Sequence, residues 1–190
     1  PFQIRLLTGA SIGAAADDVL SAADAVSWRA PYQTSSGLRD KINQGQVRFV
    51  DLHLSEVAQM VNYGFFGDID VAVIEASAIA PDGRIWLSSG IGNAPTWLLR
   101  AKKVIIELNH YHNPRVAEFV DIVIPGAPPR RNSVPIFHTM DRVGSQCVQI
   151  DPKKVVAVVD TELPDAGNAS DKTNPVSQQI ADNVVSFLLA

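Results

Sequence analysis

Val71-Ala72-Val73-Ile74 decides the fold: four consecutive apolar residues, mostly β-branched, are typical of a strand buried on both faces of a parallel sheet. Glu75 follows and is predicted to end this strand. Similar runs recur along the chain and alternate with stretches of helical periodicity, which is the pattern of βα units. The other predicted strands are residues 4–8, 26–29, 47–52, 104–108, 122–124 and 155–159. The predicted fold class is therefore α/β, an open, mostly parallel sheet with flanking helices.

Helical periodicity occurs between these runs and once more at the end of the chain. The shorter predicted helices are residues 14–23, 38–43, 54–62 and 96–102. The clearest helix is the last, because Asn174-Pro175 supplies a cap residue followed by proline in the first turn. Its apolar residues recur on one face, at Val176, Ile180, Val184 and Phe187. We expect this face to pack against the sheet.

The composition excludes several classes of function. Hydrophobic residues make up 46% and charged residues 19% of the chain, a balance typical of a folded domain. The formal net charge of −4 leaves no positive surplus for a phosphate backbone, so no nucleic-acid partner is expected. Cys147 is the single cysteine and cannot form an internal disulfide, which favours a reducing compartment and predicts a cytoplasmic location. No apolar run approaches the roughly 18–20 residues that cross a bilayer, so no membrane partner is expected.

The segment Thr8-Gly9-Ala10-Ser11-Ile12-Gly13 follows a predicted strand and precedes a predicted helix. Its backbone N–H groups and the Ser11 hydroxyl are placed to meet a ligand oxygen beyond the carboxyl edge of the sheet. A turn that requires small residues and a helix cap accounts for the same composition. Both interpretations stay open on this evidence.

A second small-residue turn covers residues 88–95, between a short strand and a helix. Its candidate binding residues are Gly90, Gly92 and Asn93. The turn resembles half of the dinucleotide fingerprint G-x-G-x-x-G, with Pro95 where the third glycine belongs and Glu107 near the position of a ribose-binding acid. Proline can open the next helix, so we expect the turn to cradle an anion or acyl group. A nucleotide-binding oxidoreductase domain remains an alternative.

Three polar positions invite chemical interpretations. Glu75 is either a functional carboxylate or a structural partner of a backbone amide or an arginine. His110-Tyr111-His112 places two imidazoles on one side of an extended chain, a spacing that metal sites use, but no cluster of Cys, Asp or Glu accompanies them, so no metal site is predicted. Ser11 lacks the G-x-S-x-G elbow, which excludes a serine hydrolase of that kind.

Nine longer motifs follow one another along essentially the whole chain. They are Leu6-Leu7-Thr8-Gly9-Ala10-Ser11, Arg39-Asp40-Lys41-Ile42-Asn43, Val73-Ile74-Glu75-Ala76-Ser77-Ala78-Ile79, Ser89-Gly90-Ile91-Gly92-Asn93, Lys103-Val104-Ile105-Ile106-Glu107-Leu108-Asn109, Asn113-Pro114, Val134-Pro135-Ile136, Asp141-Arg142-Val143-Gly144 and Asp151-Pro152-Lys153-Lys154. In order and spacing these motifs resemble the acetyl-CoA hydrolase/transferase family of class I CoA-transferases.

The resemblance implies a two-part enzyme in which each part is an open α/β sheet and the substrate site lies in the cleft between them. Residues 1–190 then form most of the N-terminal CoA-transferase domain, and we expect a preceding glycine-rich segment and a C-terminal catalytic domain outside this chain. The family's catalytic glutamate lies in that second part and passes through an acyl-glutamyl anhydride and a glutamyl-CoA thioester. No catalytic residue is therefore assigned here, and these 190 residues alone are expected to be inactive.

The same resemblance implies that Gly9, Ala10, Ser11, Gly90, Gly92 and Asn93 bind substrate. The Ser11 hydroxyl would line the acyl or carboxylate pocket, with the turn of residues 90–93 beside it. The expected function is transfer of coenzyme A from a short-chain acyl-CoA to a small carboxylic acid, with acetyl-CoA hydrolysis as the alternative on the same scaffold. Coenzyme A would be a substrate rather than a permanent cofactor, and a homodimer is expected. Residues 161–173 contain no arginine where some relatives have one, so the acceptor acid is not assigned.

Overall fold

The computed structural model describes residues 2–11, 15–126, 128–165 and 174–189. Its strands are Ile4–Ala10 (β1), Val26–Tyr32 (β2), Arg48–Phe49 (β3), Val71–Ile79 (β4), Arg84–Leu87 (β5), Lys103–Asn109 (β6), Val148–Gln149 (β7) and Val155–Thr161 (β8). Its helices are Ala15–Ala22 (α1), Ser36–Asn43 (α2), Leu54–Asn62 (α3), Ala94–Arg100 (α4) and Pro175–Leu189 (α5). Strands and helices alternate, so the α/β prediction is confirmed.

The described strands form two sheets, each largely parallel. β1, β2 and β3 make a parallel sheet in that order. The larger sheet has the order β7-β5-β4-β6-β8; β6 pairs in parallel with β4 and β8, and β5 pairs antiparallel with β4 and β7. Strand β5 runs in the opposite direction because β4 returns at once through the turn of residues 80–83 into β5. This layout brings the carboxyl ends of β4, β6 and β8 to one edge of the sheet.

Strand β4 is longer than the sequence predicted. Glu75 does not end it, because β4 pairs with β6 as far as Ala76 and then continues along β5 to Ile79. Ala72, Ile74 and Ala76 are buried on one face, so by the alternation of a strand Glu75 belongs to the other. The carboxylate therefore stands near the end of the parallel ladder.

The main core lies on the face of the larger sheet that α3 and α4 cover. Its most deeply buried side chains come from both layers, including Val57 and Val61 on α3, Leu98 on α4, and Val104 and Ile106 on β6. Burying side chains of this size contributes about 1.5–3 kcal/mol each. This face fixes β4 and β6 side by side, and with them the polar groups at their ends.

Helix α5 forms where the sequence predicted it, and its cap is confirmed: Asn174 Oδ1 accepts a hydrogen bond from the Ser177 amide at 2.9 Å. The prediction that it packs against the sheet is wrong, since none of its side chains is buried and Phe187 is 82% exposed. Its apolar stripe is not covered by any described element. None of the described helices is long and apolar enough to span a membrane.

Two predicted strands are shorter than expected. Residues 47–52 contribute only the two residues of β3, and residues 122–124 make a single bridge between Ile122 and Ser145. Polar neighbours such as Asp51 and Asp121 interrupt these apolar runs, and Asp121 bonds instead to the amides of Val143 and Gly144. Apolar content alone therefore overestimates strand length here.

Candidate functional site

The first predicted binding segment lies at the end of β1. Gly9 and Ala10 close the strand, and Ser11 follows it. The Ser11 hydroxyl donates to Asp17 Oδ2 at 3.0 Å, and its carbonyl accepts from the Thr34 hydroxyl at 3.3 Å. No described atom lies within 4 Å of a Cβ built on Gly9. Residues 12–14, which completed the predicted turn, lie outside the described residues.

Asp17 is held in turn by a buried arginine on β2. Arg29 donates from Nε to Asp17 Oδ1 at 3.2 Å and from Nη2 to Oδ2 at 3.0 Å, with both side chains almost fully buried. The guanidinium also donates to the carbonyls of Ala30 and Tyr32. Sequence reasoning missed this pair, although an arginine within the apolar run of residues 26–30 was a signal that a buried acid would accompany it.

A second polar group lies where β4, β5 and β6 come together. Glu75 Oε2 accepts from the hydroxyl of Ser88, the residue after β5, and Oε1 accepts from Asn109 Nδ2 at 2.7 Å. Asn109 is the last residue of β6 and is 1% exposed. The structural interpretation of Glu75 was thus correct in kind, but its partners are side chains rather than a backbone amide or an arginine.

Asn109 uses all of its hydrogen-bonding capacity at this edge. Its Nδ2 also donates to the Leu163 carbonyl at 2.7 Å, and its Oδ1 accepts from the amides of Tyr111 and Leu163, each at 3.1 Å. These bonds tie the segment after β8 to the end of β6. No local sequence signal pointed to the role of Asn109, because a strand-end asparagine is ordinary until its partners are known.

His112 joins the same group from the turn after β6. Its Nε2 lies 3.4 Å from Glu75 Oε1 and 3.3 Å from Asp165 Oδ1. The other oxygen of Asp165 accepts from the Ser89 hydroxyl at 2.8 Å. Both acids stand far from His112 in sequence, which is why the search for a Cys, Asp or Glu cluster beside the two histidines did not find them.

His110 has a different partner. It lies 2.7 Å from Asp160 Oδ1, and both side chains are more than half exposed. The two histidines do not lie on one side of an extended chain, because strand β6 ends at Asn109 and the chain turns at His110 and Tyr111. The structure therefore separates the two imidazoles that the sequence pattern paired.

The turn of residues 90–93 follows Ser88 and Ser89 directly and leads into α4. Pro95 lies in the first turn of α4, as predicted, and the Asn93 carbonyl accepts from the amides of Thr96 and Trp97. Gly92 has a φ of +39°, and a Cβ on Gly90 or on Gly92 would meet no described atom within 4 Å. The proposed contact of this turn with substrate stays a prediction.

The geometry does not favour a dinucleotide site at this turn. In a dinucleotide-binding unit the glycine-rich turn follows a parallel strand, whereas β5 runs antiparallel to β4. Glu107 does not end its strand either, and its Oε1 accepts from the Thr161 hydroxyl at 3.1 Å. The turn therefore lacks the strand context of a dinucleotide site, and Glu107 is a residue within the sheet.

Comparison with known proteins assigns the family. The family model described as the acetyl-CoA hydrolase/transferase N-terminal domain matches residues 1–160. The chain belongs to the acetyl-CoA hydrolase/transferase family. The resemblance inferred from the sequence motifs is therefore confirmed.

Curated relatives in this family include both transferases and hydrolases. The chain is 86% identical, over its whole length and 38% of the relative's, to the propanoyl-CoA:succinate CoA transferase of Escherichia coli strain K12. It is 40% identical, over 98% of its length and 35% of the relative's, to the succinyl-CoA:acetate CoA-transferase of Clostridium kluyveri. An acetyl-CoA hydrolase of Schizosaccharomyces pombe is 34% identical over 97% of this chain and 36% of that protein. The chain thus spans less than two fifths of the length of these relatives.

Solved structures share the fold of this family member. A mutant of RipA superposes with a TM-score of 0.55 at 14% identity, covering 96% of this chain and 36% of that one. A second RipA mutant gives a TM-score of 0.51, also at 14% identity, over 95% of this chain and 44% of that one. At this identity the likeness concerns the fold alone.

Proposed function

We propose that the complete protein containing this chain is a CoA-transferase that moves coenzyme A from a short-chain acyl-CoA, such as acetyl-, propionyl- or succinyl-CoA, to a small carboxylic acid. The observation that carries this proposal is the 86% identity, along the whole chain, to a propanoyl-CoA:succinate CoA transferase. Coenzyme A is a substrate in this scheme. In this proposal the chain contributes one side of the substrate site, residues 9–11 and the turn of residues 90–93, which we call the substrate-binding wall. The reacting glutamate lies elsewhere in the protein.

The proposed reaction exchanges a thioester between two carboxylates through a covalent enzyme intermediate. A glutamate oxygen attacks the acyl carbonyl, the thioester C–S bond breaks, and the CoA thiolate leaves behind an acyl-glutamyl anhydride. The thiolate then attacks the glutamyl carbonyl and releases the first carboxylate, which gives a glutamyl-CoA thioester. The carboxylate of the acceptor acid then attacks the glutamyl-CoA thioester, and the same two steps run in reverse to give the acceptor's CoA thioester and the free glutamate. A series of easier steps thereby replaces one difficult exchange.

Ser11 is the side chain of this wall best suited to a substrate carboxylate. Its hydroxyl carries one proton, which it donates to Asp17 in the structure. A substrate carboxylate at this position would accept that proton after rotation of the hydroxyl, because Arg29 already offsets the charge of Asp17 but not that of the substrate. Asp17 would keep both of its bonds from Arg29, so the exchange leaves the buried pair intact.

The test is a turnover assay of the complete protein with propionyl-CoA, with and without succinate, in which succinyl-CoA and free CoA are separated by chromatography. Succinate-dependent formation of succinyl-CoA is expected. Release of free CoA at a rate independent of succinate would instead identify a hydrolase. Tight NAD binding by calorimetry without acyl transfer would favour an oxidoreductase and overturn the proposal.

Glycine substitutions test the wall separately from folding. Gly9→Ala and Gly90→Ala place a methyl group where no described atom lies within 4 Å, so folding should tolerate them. If substrate approaches these positions, kcat/KM should fall by about tenfold or more, the equivalent of about 1.4 kcal/mol. Gly37→Ala, in helix α2, is the matched control and should leave kcat/KM unchanged. Unchanged kcat/KM in Gly9→Ala and Gly90→Ala would show that substrate does not approach these two positions.

We also propose that the protein works in the cytoplasm as a homodimer, without a nucleic-acid or membrane partner. The lone Cys147 supports the compartment, and the net charge of −4 argues against a nucleic-acid partner. Light scattering of the purified protein tests the dimer, and fractionation of cells tests the compartment. A monomer, or recovery with membranes, would contradict the corresponding part.

A further inference from the structure

We propose that Glu75, His112 and Asp165, which we call the carboxylate–imidazole cluster, bind a divalent transition-metal ion. One oxygen of each acid and Nε2 of the histidine all lie within 4.8 Å of one another. The three residues come from β4, from the turn after β6 and from the segment after β8. Ser11 is not part of this cluster, and Ser89, which donates to Asp165, directly precedes the turn of residues 90–93 that we propose to bind substrate.

His112 gives the first argument, because its ring nitrogen lacks the partner that burial demands. The side chain is 9% exposed, and Nε2 is buried without a hydrogen-bond partner among the described residues. Leaving a buried polar atom unpaired is unfavourable. Nε2 lies within 3.4 Å of one oxygen of each acid, so a cation among these atoms would satisfy the nitrogen and both acids together.

The distance from Nε2 to each acid gives the second argument. Zinc binds imidazole nitrogen and carboxylate oxygen at about 2.0–2.2 Å, so two ligands of a tetrahedral ion lie about 3.3–3.5 Å apart. Nε2 is 3.4 Å from Glu75 Oε1 and 3.3 Å from Asp165 Oδ1. These separations suit a shared ion, whereas the same contacts fail the geometry of hydrogen bonds.

The hydrogen bonds around the acids give the third argument. Ser88 donates to Oε2 of Glu75, and Ser89 donates to Oδ2 of Asp165 at 2.8 Å. Each acid therefore has its outer oxygen held by a serine, and its other oxygen faces Nε2. Partners of this kind orient metal-binding carboxylates in proteins and raise their affinity.

The donor set points to the class of ion. One imidazole with two carboxylates suits Zn²⁺, Co²⁺ or Mn²⁺ better than Ca²⁺, which takes six to eight oxygen ligands as a rule. Three protein ligands leave at least one position of the ion for water or another ligand. The ion would join the segment after β8 to the ends of β4 and β6 and thereby stabilise this edge of the sheet.

The test is calorimetry of the complete protein, first treated with EDTA and then titrated with ZnCl₂. We expect saturable binding at this site and an increase in the thermal midpoint of unfolding, because the ion binds the folded state. His112→Gln and Asp165→Asn should each weaken Zn²⁺ binding by more than about tenfold. His110→Gln is the matched control, since His110 pairs with Asp160 outside the cluster, and it should bind Zn²⁺ as the unchanged protein does.

A simple ion pair between His112 and the two acids is the competing explanation. It predicts no saturable Zn²⁺ binding, or binding that His112→Gln leaves unchanged, and either result overturns the proposal. The thermal midpoint of each variant in EDTA shows whether it is folded, and Ser89→Ala gives a milder change that removes only the bond to Asp165. We expect Ser89→Ala to weaken Zn²⁺ binding by about tenfold. Loss of acyl transfer in the assay above would not affect this result.

Discussion

Asn109 and Glu75 are joined side chain to side chain across neighbouring strands, with Asn109 Nδ2 donating to Glu75 Oε1 at 2.7 Å. Glu75 pairs in register with Glu107 rather than with Asn109, so the bond runs diagonally along the sheet. Like charges directly opposite each other destabilise a sheet. Asn109 and Ser88 give Glu75 its hydrogen bonds, and Thr161 gives Glu107 one, which lets two acids occupy neighbouring strands.

Asn109→Ala should therefore be among the most destabilising single changes at this edge. The substitution removes the partner of Glu75 Oε1 and of both backbone groups of Leu163, and it leaves a gap where the buried Asn109 side chain stood. We expect the free energy of unfolding to fall by about 1–3 kcal/mol, because several hydrogen bonds are lost at once but solvent reaches part of their partners. Urea denaturation of the complete protein measures this change. Asn62→Ala, at the exposed end of α3, is the control and should change it by less than about 0.5 kcal/mol.

Gly83→Ala tests a close approach of two backbone segments. Gly83 has a φ of +90°, and an added Cβ would overlap the carbonyl oxygen of Ile150. Gly45 shares the positive φ, at +74°, but has open space around the same position. Both substitutions carry a backbone cost of about 1 kcal/mol, and Gly83→Ala should cost about 1–3 kcal/mol more because of the overlap. Equal thermal midpoints for the two variants would contradict this prediction.

Lys154 should make stability depend on alkaline pH. Burial lowers the pKa of Lys154 below its ordinary value of 10.5, while the ammonium donates to the carbonyls of Leu98 and Leu99 at the end of α4. Between the lowered pKa and 10.5 the unfolded state binds more protons, so the free energy of unfolding gains a contribution that rises with pH. Relative to Lys154→Met, which cannot titrate, the unchanged protein should gain stability as pH rises through the lowered pKa towards 10.5.

Lys102 is the control with the opposite sign. Its hydrogen bonds to Asp70 and Asp68 raise the pKa of Lys102 above 10.5. Its contribution is present below 10.5 and is lost as pH rises through the raised pKa. The stability difference between the unchanged protein and Lys102→Met should therefore stay flat up to about pH 10.5 and decline beyond it. Both stability differences are measured by urea denaturation. If the difference from Lys154→Met and the difference from Lys102→Met changed with pH in the same way, the directions given for both pKa values would be refuted.

Local sequence signals predicted the elements well where one physical cause dominates. The apolar run at residues 71–74 and the Asn174-Pro175 cap each led to the element observed, because burial and capping act over a few residues. Local signals failed where distant segments decide the outcome. Strand β4 continues past Glu75 because β5 pairs with it, and the stripe on α5 gave no information about what lies against it.

The candidate sites were predictable only in part for the same reason. Family motifs led to Ser11 and to the turn of residues 90–93, but not to the side chains that hold them. Asp17 orients Ser11 from a helix, and Asp165 reaches His112 from beyond β8. These contacts form because the sheets bring separate segments of the chain together, and the spacing of residues within the sequence does not indicate which segments will meet.

The buried pair of Asp17 and Arg29 should be the strongest interaction to break, and Ser11 should report on it. Asp17→Ala leaves the guanidinium of Arg29 without its carboxylate in a site where the arginine is fully buried, which costs about 3–5 kcal/mol. The double variant Asp17→Ala/Arg29→Met removes both charges and should recover much of that loss, which urea denaturation of the complete protein measures. Asp82→Ala breaks the exposed pair with Arg84 and should cost less than about 1 kcal/mol. Because a substrate carboxylate would take over the proton that Ser11 donates to Asp17, the recovered double variant should show a KM for the acceptor acid no higher than that of the unchanged protein. A double variant no more stable than Asp17→Ala would show that the buried arginine does not need its partner.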